Sequence, residues 1–189
     1  MGSRYSSYAL ILLHLLPVFL QAQSVITVPA DYPTLQEAVD AAKSGSIIFV
    51  APGEYVLRNP LKFKEKNLTL RAFEDFGPKY TWLRLSSMPE TPKEASVIIL
   101  EDYQNAHISF EGFTITGGKG VFALSKSMWV GGAIYVGSGC TLYLQNCVIE
   151  SNGPPPSEAD RPLWGGGVYC APQSVLITVS YTHLTLPTK

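Results

Sequence analysis

The hexapeptide GGAIYV at Gly131–Val136 returns as GGGVYC at Gly165–Cys170, an offset of 34 in the numbering (165 − 131). The same offset lays HISFEGFTIT, from His107, over TLYLQNCVIE, from Thr141. In that register Ile108, Phe110, Phe113 and Ile115 fall on Leu142, Leu144, Cys147 and Ile149, and Leu142 falls in turn on Leu176 of SVLIT. Self-similarity at a fixed period of tens of residues marks a repeat architecture. Within each unit the apolar residues alternate, which is the period of a strand rather than a helix. Short alternating strands joined by glycine-rich turns predict an all-β solenoid.

The spacing predicts early rungs at Ile47–Val50, Leu61–Phe63 and Leu68–Leu70. Val97–Leu100 and Ile108–Ile115 follow, then Ala133–Val136 and Leu142–Ile149, then Val168–Cys170 and Val175–Thr178. Inward residues should stack on like residues one rung away, about 4.8 Å along the axis. Glu74–Ala95 is long and polar and reads as a loop extruded from the coil. Ahead of the first rung, Thr34 and Glu37 have the spacing of a capping box. Leu35, Ala38, Val39 and Ala42 then form the apolar face of a short amphipathic helix, with Gly45 as its stop. Such a helix is suited to cover the open edge of a first rung.

The two termini read differently from the repeat. A polar start with Arg4, the apolar run Ala9–Leu20 and the small residues Ala22 and Ser24 have the layout of a secretory signal peptide. The run is too short for an ordinary membrane span. At the other end the register asks for apolar residues at 181 and 183, where Tyr181 and His183 stand. VSYTHLTLPTK, Val179–Lys189, resembles a translated transposase-type sequencing adapter. The expected organisation is a signal peptide over 1–24, a repeat domain over 25–178 that is the N-terminal part of a longer coil, and a foreign tail over 179–189.

The ordered series VPADYPTLQEAVDAAKSGSIIFVAPGEY, KNLTLRA, ISFEGFTITGG, GGAIYV and GGGVYC, spanning roughly Ile26–Thr178, resembles the opening of the right-handed parallel β-helix, or pectin-lyase-like, family. The resemblance implies three short strands per turn, with stacked rungs forming long parallel sheets behind the capping helix. The family includes polysaccharide lyases, hydrolases and methylesterases, phage tailspikes and surface proteins of unassigned activity. The glycine-rich repeats here are most similar to the last group.

Lyases of such a fold need a carboxylate cluster for a cation and a basic residue, and hydrolases need an acid and a base across a sugar bond. The rungs show no paired outward carboxylates; adjacent Glu101 and Asp102 are the best cation candidates, and two carboxylates alone do not make a site. No metal or other cofactor is expected. Two loops, Gly118–Val130 and Gly153–Trp164, interrupt the repeat at equivalent places, and each ends in a tryptophan, Trp129 or Trp164. Tyr135 and Tyr169 lie in the strands that follow. These aromatics should cluster on one side of the coil. They would either present a surface for a sugar ring, with Glu158, Asp160, Arg161 and Lys126 as polar partners, or seal the loops onto the sheet.

A net charge of −1 makes no electrostatic case for nucleic acid or an anionic membrane. Three cysteines make no disulfide framework. Cys147 and Cys170 read as inward. A Cys140–Cys170 bridge would have an offset of 30 (170 − 140) and miss the register by four. Asn67 heads a glycosylation sequon, usable in a eukaryotic host. The expected function is a secreted or cell-surface module that contacts extracellular polysaccharide or serves adhesion. The alternative is a polysaccharide lyase or hydrolase whose active rungs lie beyond Thr178.

Overall fold

The computed structural model describes residues 24–73, 78–87, 95–102, 105–123, 128–153, 163–179 and 183–184. The signal peptide expected over 1–24 lies outside them except for Ser24. The chain is mainly β, with parallel sheets. It begins with β1 (Val25–Val28) and the helix α1 (Leu35–Ala41), and then visits three sheets in a repeating order. A first circuit is β2 (Ile47–Val50), β3 (Gly53–Leu57) and β4 (Leu61–Phe63), and a second is β5 (Asn67–Ala72), β6 (Thr81–Leu85) and β7 (Ile98–Leu100). A third is β8 (His107–Glu111) and β9 (Thr114–Thr116), then a hairpin of β10 (Val121–Ala123) and β11 (Met128–Val130), then β12 (Ile134–Val136). The fourth is β13 (Thr141–Gln145), β14 (Val148–Ile149), β15 (Leu163–Trp164) and β16 (Val168–Cys170), followed by β17 (Val175–Val179) and β18 (His183–Leu184).

The first sheet has the order β1-β2-β5-β8-β13-β17, the second β18-β14-β9-β6-β3, and the third β16-β12-β7-β4. Every pairing within these three is parallel, so each strand hydrogen-bonds to its counterpart in the circuits before and after. Parallel strands need long crossovers, and here each crossover is made of the strands of the other two sheets.

Alternation decides which side chains go inside. Along the first sheet Ile26, Ile48, Leu70, Phe110 and Leu144 are cross-strand partners in one file, and all are buried. Leu68, Ile108 and Leu142 form a second inward file. The inward residues of all three sheets merge into one core, in which Phe110 makes edge-to-face contacts with Phe63 at 5.9 Å and Phe113 at 5.7 Å. Such aromatic pairs add about 0.5–1.5 kcal/mol beyond area burial.

The period of the sequence governs the later circuits only. Thr141 pairs with His107 and with Val175, each at an offset of 34 (141 − 107; 175 − 141). Val25, Ile47 and Thr69 are partners at an offset of only 22 (47 − 25; 69 − 47), while Asn67 and His107 pair at an offset of 40 (107 − 67). The period reappears in backbone conformation. Asn105, Gly139 and Gln173 each adopt positive φ two positions before a first-sheet strand, and Gly112 and Asn146 do so at the next corner. These last two corners divide Ile108–Ile115 and Leu142–Ile149 into two strands each.

Three other expectations are corrected. Glu74–Ala95 is not wholly an extruded loop: β6 lies within it and pairs with both β3 and β9. Thr81, Leu83 and Leu85 are buried while Trp82 and Arg84 are half-buried, a strand alternation inside a polar surround. Helix α1 ends with Ala42 as C-cap, so Gly45 belongs to the turn before β2, where its N–H donates to the Asn67 carbonyl at 2.6 Å. Cys147 is buried as expected. Cys170 shares register with buried Val136 yet is exposed, because β16 is the outermost strand of its sheet. Cys140, Cys147 and Cys170 are all free thiols.

Helix α1 does act as a lid. Its capping box is complete, and it buries Leu35, Ala38 and Val39. The Gln36 side chain behaves like one more residue of sheet: its amide donates to the Lys62 carbonyl and accepts from the Lys62 N–H, both at 3.0 Å. Lys62 sits in β4, the terminal strand of the third sheet, so this amide closes a bare edge. The ammonium of Lys66 caps the other end of the helix through the carbonyls of Val39 at 2.9 Å and Asp40 at 2.7 Å.

The glycine pairs that opened the sequence have distinct duties. Gly131 and Gly165 adopt φ of 62° and 66°, a left-handed corner that L side chains resist. At Gly132 the next circuit passes so close that an added Cβ would overlap the Gly166 carbonyl oxygen. Gly132→Ala is therefore expected to destabilise the fold by about 3 kcal/mol, the upper end of the usual overpacking cost. Gly45→Ala, where φ is 89° but no atom lies within 4 Å, should cost about 1–2 kcal/mol. Denaturant unfolding of both variants checks the ranking, and equal losses would refute the close-approach argument. Gln36→Ala should cost only about 1 kcal/mol, since water replaces the lost bonds. It should also raise concentration-dependent association in sedimentation, because the edge of β4 is uncovered; unchanged sedimentation would show that the lid does not guard that edge.

Candidate functional site

The outward face of the third sheet carries the file Lys62, Ile99, Tyr135 and Tyr169, one residue from each of β4, β7, β12 and β16. The flanking positions Ile134 and Val136 point inward and are buried, which fixes Tyr135 outward. Because Tyr169 is its cross-strand partner, the two rings stack with centroids 5.6 Å apart and planes 21° from parallel. Both tyrosines are half-buried.

Asp102 lies beside this pair, in the turn after β7. Its Oδ1 accepts the Ser138 N–H at 2.7 Å, and its two carboxylate oxygens accept from the Tyr135 hydroxyl at 3.3 and 3.4 Å. Burial first, and then the adjacent Asp102 charge and hydrogen bond, push the Tyr135 phenol from its ordinary value of 10.0 up to about 12. The neighbouring Glu101 turns the other way, to Lys62 Nζ at 2.7 Å. That pair is about half exposed on each side, so it contributes at most about 1 kcal/mol. The backbone carbonyl of Glu101 accepts from the Cys140 thiol at 3.2 Å.

The cation reading of Glu101 and Asp102 finds no cage. The two carboxylates are drawn to different partners, and among the described residues no group of three or more His, Cys, Asp or Glu could hold a metal. What the arrangement offers is a stacked aromatic pair, flanked by one engaged carboxylate and one ion pair. Such a surface offers apolar ring edges for contact and polar groups for hydrogen bonds.

The tryptophan-bearing strands adjoin this face. β11 and β15 pair in parallel and run through the glycine corners into β12 and β16. Their register sets Trp129 opposite Leu163 and Trp164 opposite Val130, so the tryptophans are one position out of step. Gly118–Val130 holds the antiparallel β10–β11 hairpin. Lys126, Glu158, Asp160 and Arg161 lie outside the described residues, as do the side-chain positions of Trp129 and Trp164. The link between Asp102 and Tyr135 escaped the sequence reading, because the two match no repeat position.

Among the described residues no helix is long and apolar enough to cross a membrane. Compared with known proteins, the chain matches no family model and no curated protein.

A titration of tyrosinate absorbance tests the Tyr135 environment. A phenol should titrate near pH 12, and Tyr135→Phe should remove that phase. Asp102→Asn should move it toward 10.0, the ordinary value. The folded value lies above the unfolded one, so the stabilisation is complete below about pH 10 and is lost as pH rises toward 12. Tyr135→Phe should flatten that alkaline loss; a late phase persisting in Tyr135→Phe would assign it elsewhere.

Proposed function

We propose that the chain is a right-handed parallel β-helix of the pectin-lyase-like type, exported from the cell, and that it works as a non-catalytic module holding extracellular polysaccharide. The observation that carries the binding reading is the stacked Tyr135–Tyr169 pair on an outward sheet face, with Asp102 hydrogen-bonded at its edge. The rotation of the chain through three parallel sheets supports the fold reading. Repetition suits a repeating ligand. The stacked rings present their edges and hydroxyls along the sheet, and a glycan chain can lie across them without a deep pocket. The alternative is a polysaccharide lyase or hydrolase whose active rungs lie beyond Thr178; such chemistry requires free carboxylates, and the described circuits show them paired. Here Glu54, Glu101 and Glu111 are each engaged, by Arg84, Lys62 and Arg71.

Affinity electrophoresis through gels cast with pectin, alginate, xylan or soluble cellulose tests the reading. At least one polymer should retard the protein. The double variant Tyr135→Ala with Tyr169→Ala should weaken that retardation about tenfold, corresponding to about 1.4 kcal/mol. Retardation unchanged in a folded double variant, or no retardation by any polymer, would remove this function.

A further inference from the structure

Asn152 and Gly153 are the one Asn-Gly pair in the sequence. They stand just beyond β14, at the corner where the fourth circuit leaves the second sheet. Asn152 is 4% exposed, and its side-chain amide is tied into the circuit before. Its Oδ1 accepts the Gly118 N–H at 2.8 Å, and its Nδ2 donates to the carbonyls of Ile115 at 3.0 Å and Glu150 at 2.7 Å. The Gly153 N–H donates to the Gly118 carbonyl at 2.8 Å. Residues 152 and 153 thus bond both polar groups of Gly118, one through a side chain and one through the main chain.

We propose that Asn152 is a modification site, converted to aspartate or isoaspartate when the fourth circuit opens at this corner, and that the product resists reclosing. The only co-reactant is water. The Gly153 nitrogen gives its proton to solvent base and attacks Cγ of Asn152. A bond forms between Cγ and that nitrogen, the Cγ–Nδ2 bond breaks, and Nδ2 leaves as ammonia with a proton taken from water. Water then opens the cyclic imide, giving aspartate, or isoaspartate with the main chain rerouted through Cγ. The sum is one amide and one water to one carboxylate and one ammonium, with no change of oxidation state. Glycine at 153 suits the attack because no Cβ shields its nitrogen.

The closed fold holds each participant back. The proton that Gly153 must lose is bonded to the Gly118 carbonyl, and Nδ2 cannot depart without breaking two hydrogen bonds. Bringing Cγ to the Gly153 nitrogen also pulls Oδ1 from the Gly118 N–H. Reaction therefore waits for local opening, and its rate follows the population of the open corner. Opening is easiest at this end of the ladder, since β14 adjoins the outermost described strand of the second sheet and β16 is the outermost of the third. After reaction the corner no longer fits. A carboxylate keeps the Gly118 N–H but sets a buried negative charge against two carbonyl oxygens, with no proton to offer them. Isoaspartate also lengthens the main chain between β14 and β15 by one carbon, against the register. A transient opening is thereby written into the covalent structure.

The inference is independent of the tyrosine face. Its test uses the full chain at mildly alkaline pH and mass spectrometry of the peptide that holds Asn152. In denaturing urea this amide should convert, with isoaspartate among the products. In the folded chain conversion should be at least about tenfold slower, as a mostly closed corner requires. After urea is removed, converted molecules should be enriched in the fraction that a protease digests, and unconverted ones in the resistant fraction. Asn152→Asp should lower protease resistance more than Asn152→Ala, which removes the same two donors without adding a charge. No conversion in urea overturns the proposal, as do equal rates in the folded and urea-treated chain. Converted molecules that refold as well as unconverted ones overturn it too, and so does an Asn152→Asp variant as resistant as Asn152→Ala. If neither variant folds, the comparisons on the unaltered chain decide.

Discussion

The parallel hydrogen-bond ladder between successive circuits is the constraint on which the rest of the structure depends. Each circuit supplies one strand to each of three sheets, so no circuit can bury its inward face alone. The neighbours above and below complete both its backbone bonding and its core. Because partners in a parallel ladder stand directly above one another, inward files must be uniformly apolar, as in Ile48–Leu70–Phe110–Leu144. The corners must also repeat, because a corner that drifted by one residue would turn every following side chain to the wrong face. The left-handed residues at Asn105, Gly139 and Gln173 are the local form of that requirement.

This explains which parts of the fold were legible. Where two circuits have equal length, the ladder writes itself into the sequence as a repeat, and the constant offset between GGAIYV and GGGVYC predicts the partners of β13 and β17 residue by residue. Where circuits differ in length, the ladder is just as regular but the sequence carries no period. β6 was lost for that reason: its partners Glu54 and Thr114 lie at unrelated spacings from Trp82, and its alternation is very short. The helix was legible because its signals are local, as the completed Thr34–Glu37 box shows. Its bonding to Lys62 was not, because a side-chain amide replacing a strand leaves no pattern in the sequence.

The outward files divide along the same line. Tyr135 and Tyr169 were found because they sit one period apart, and the structure stacks them. Phe49, Arg71, Glu111 and Gln145 form an equally continuous file, but it crosses circuits of unequal length and was invisible. Outward files escape the demand for apolar uniformity while keeping the strict vertical stacking. A fold of this kind therefore places chosen side chains in a row at strand spacing, on a rigid support, at little cost to its core.

That freedom brings a problem, and the ion pairs address it. A slip of two positions would keep inward residues inward, so apolar burial alone penalises it weakly. The exterior can penalise it through charge. Arg71 meets Glu111 outside the first sheet, Arg84 meets Glu54 outside the second, and Lys62 meets Glu101 beside the third. Each pair joins neighbouring circuits, and the second circuit contributes one partner to all three. Partly exposed pairs add at most about 1 kcal/mol apiece to stability. Their weight lies in the comparison with slipped alternatives, in which opposite charges would separate and Arg71 or Arg84 would face neutral neighbours. The stacking of like on like inside the core supplies most of the stability, and the pairing of unlike charges outside it selects the register.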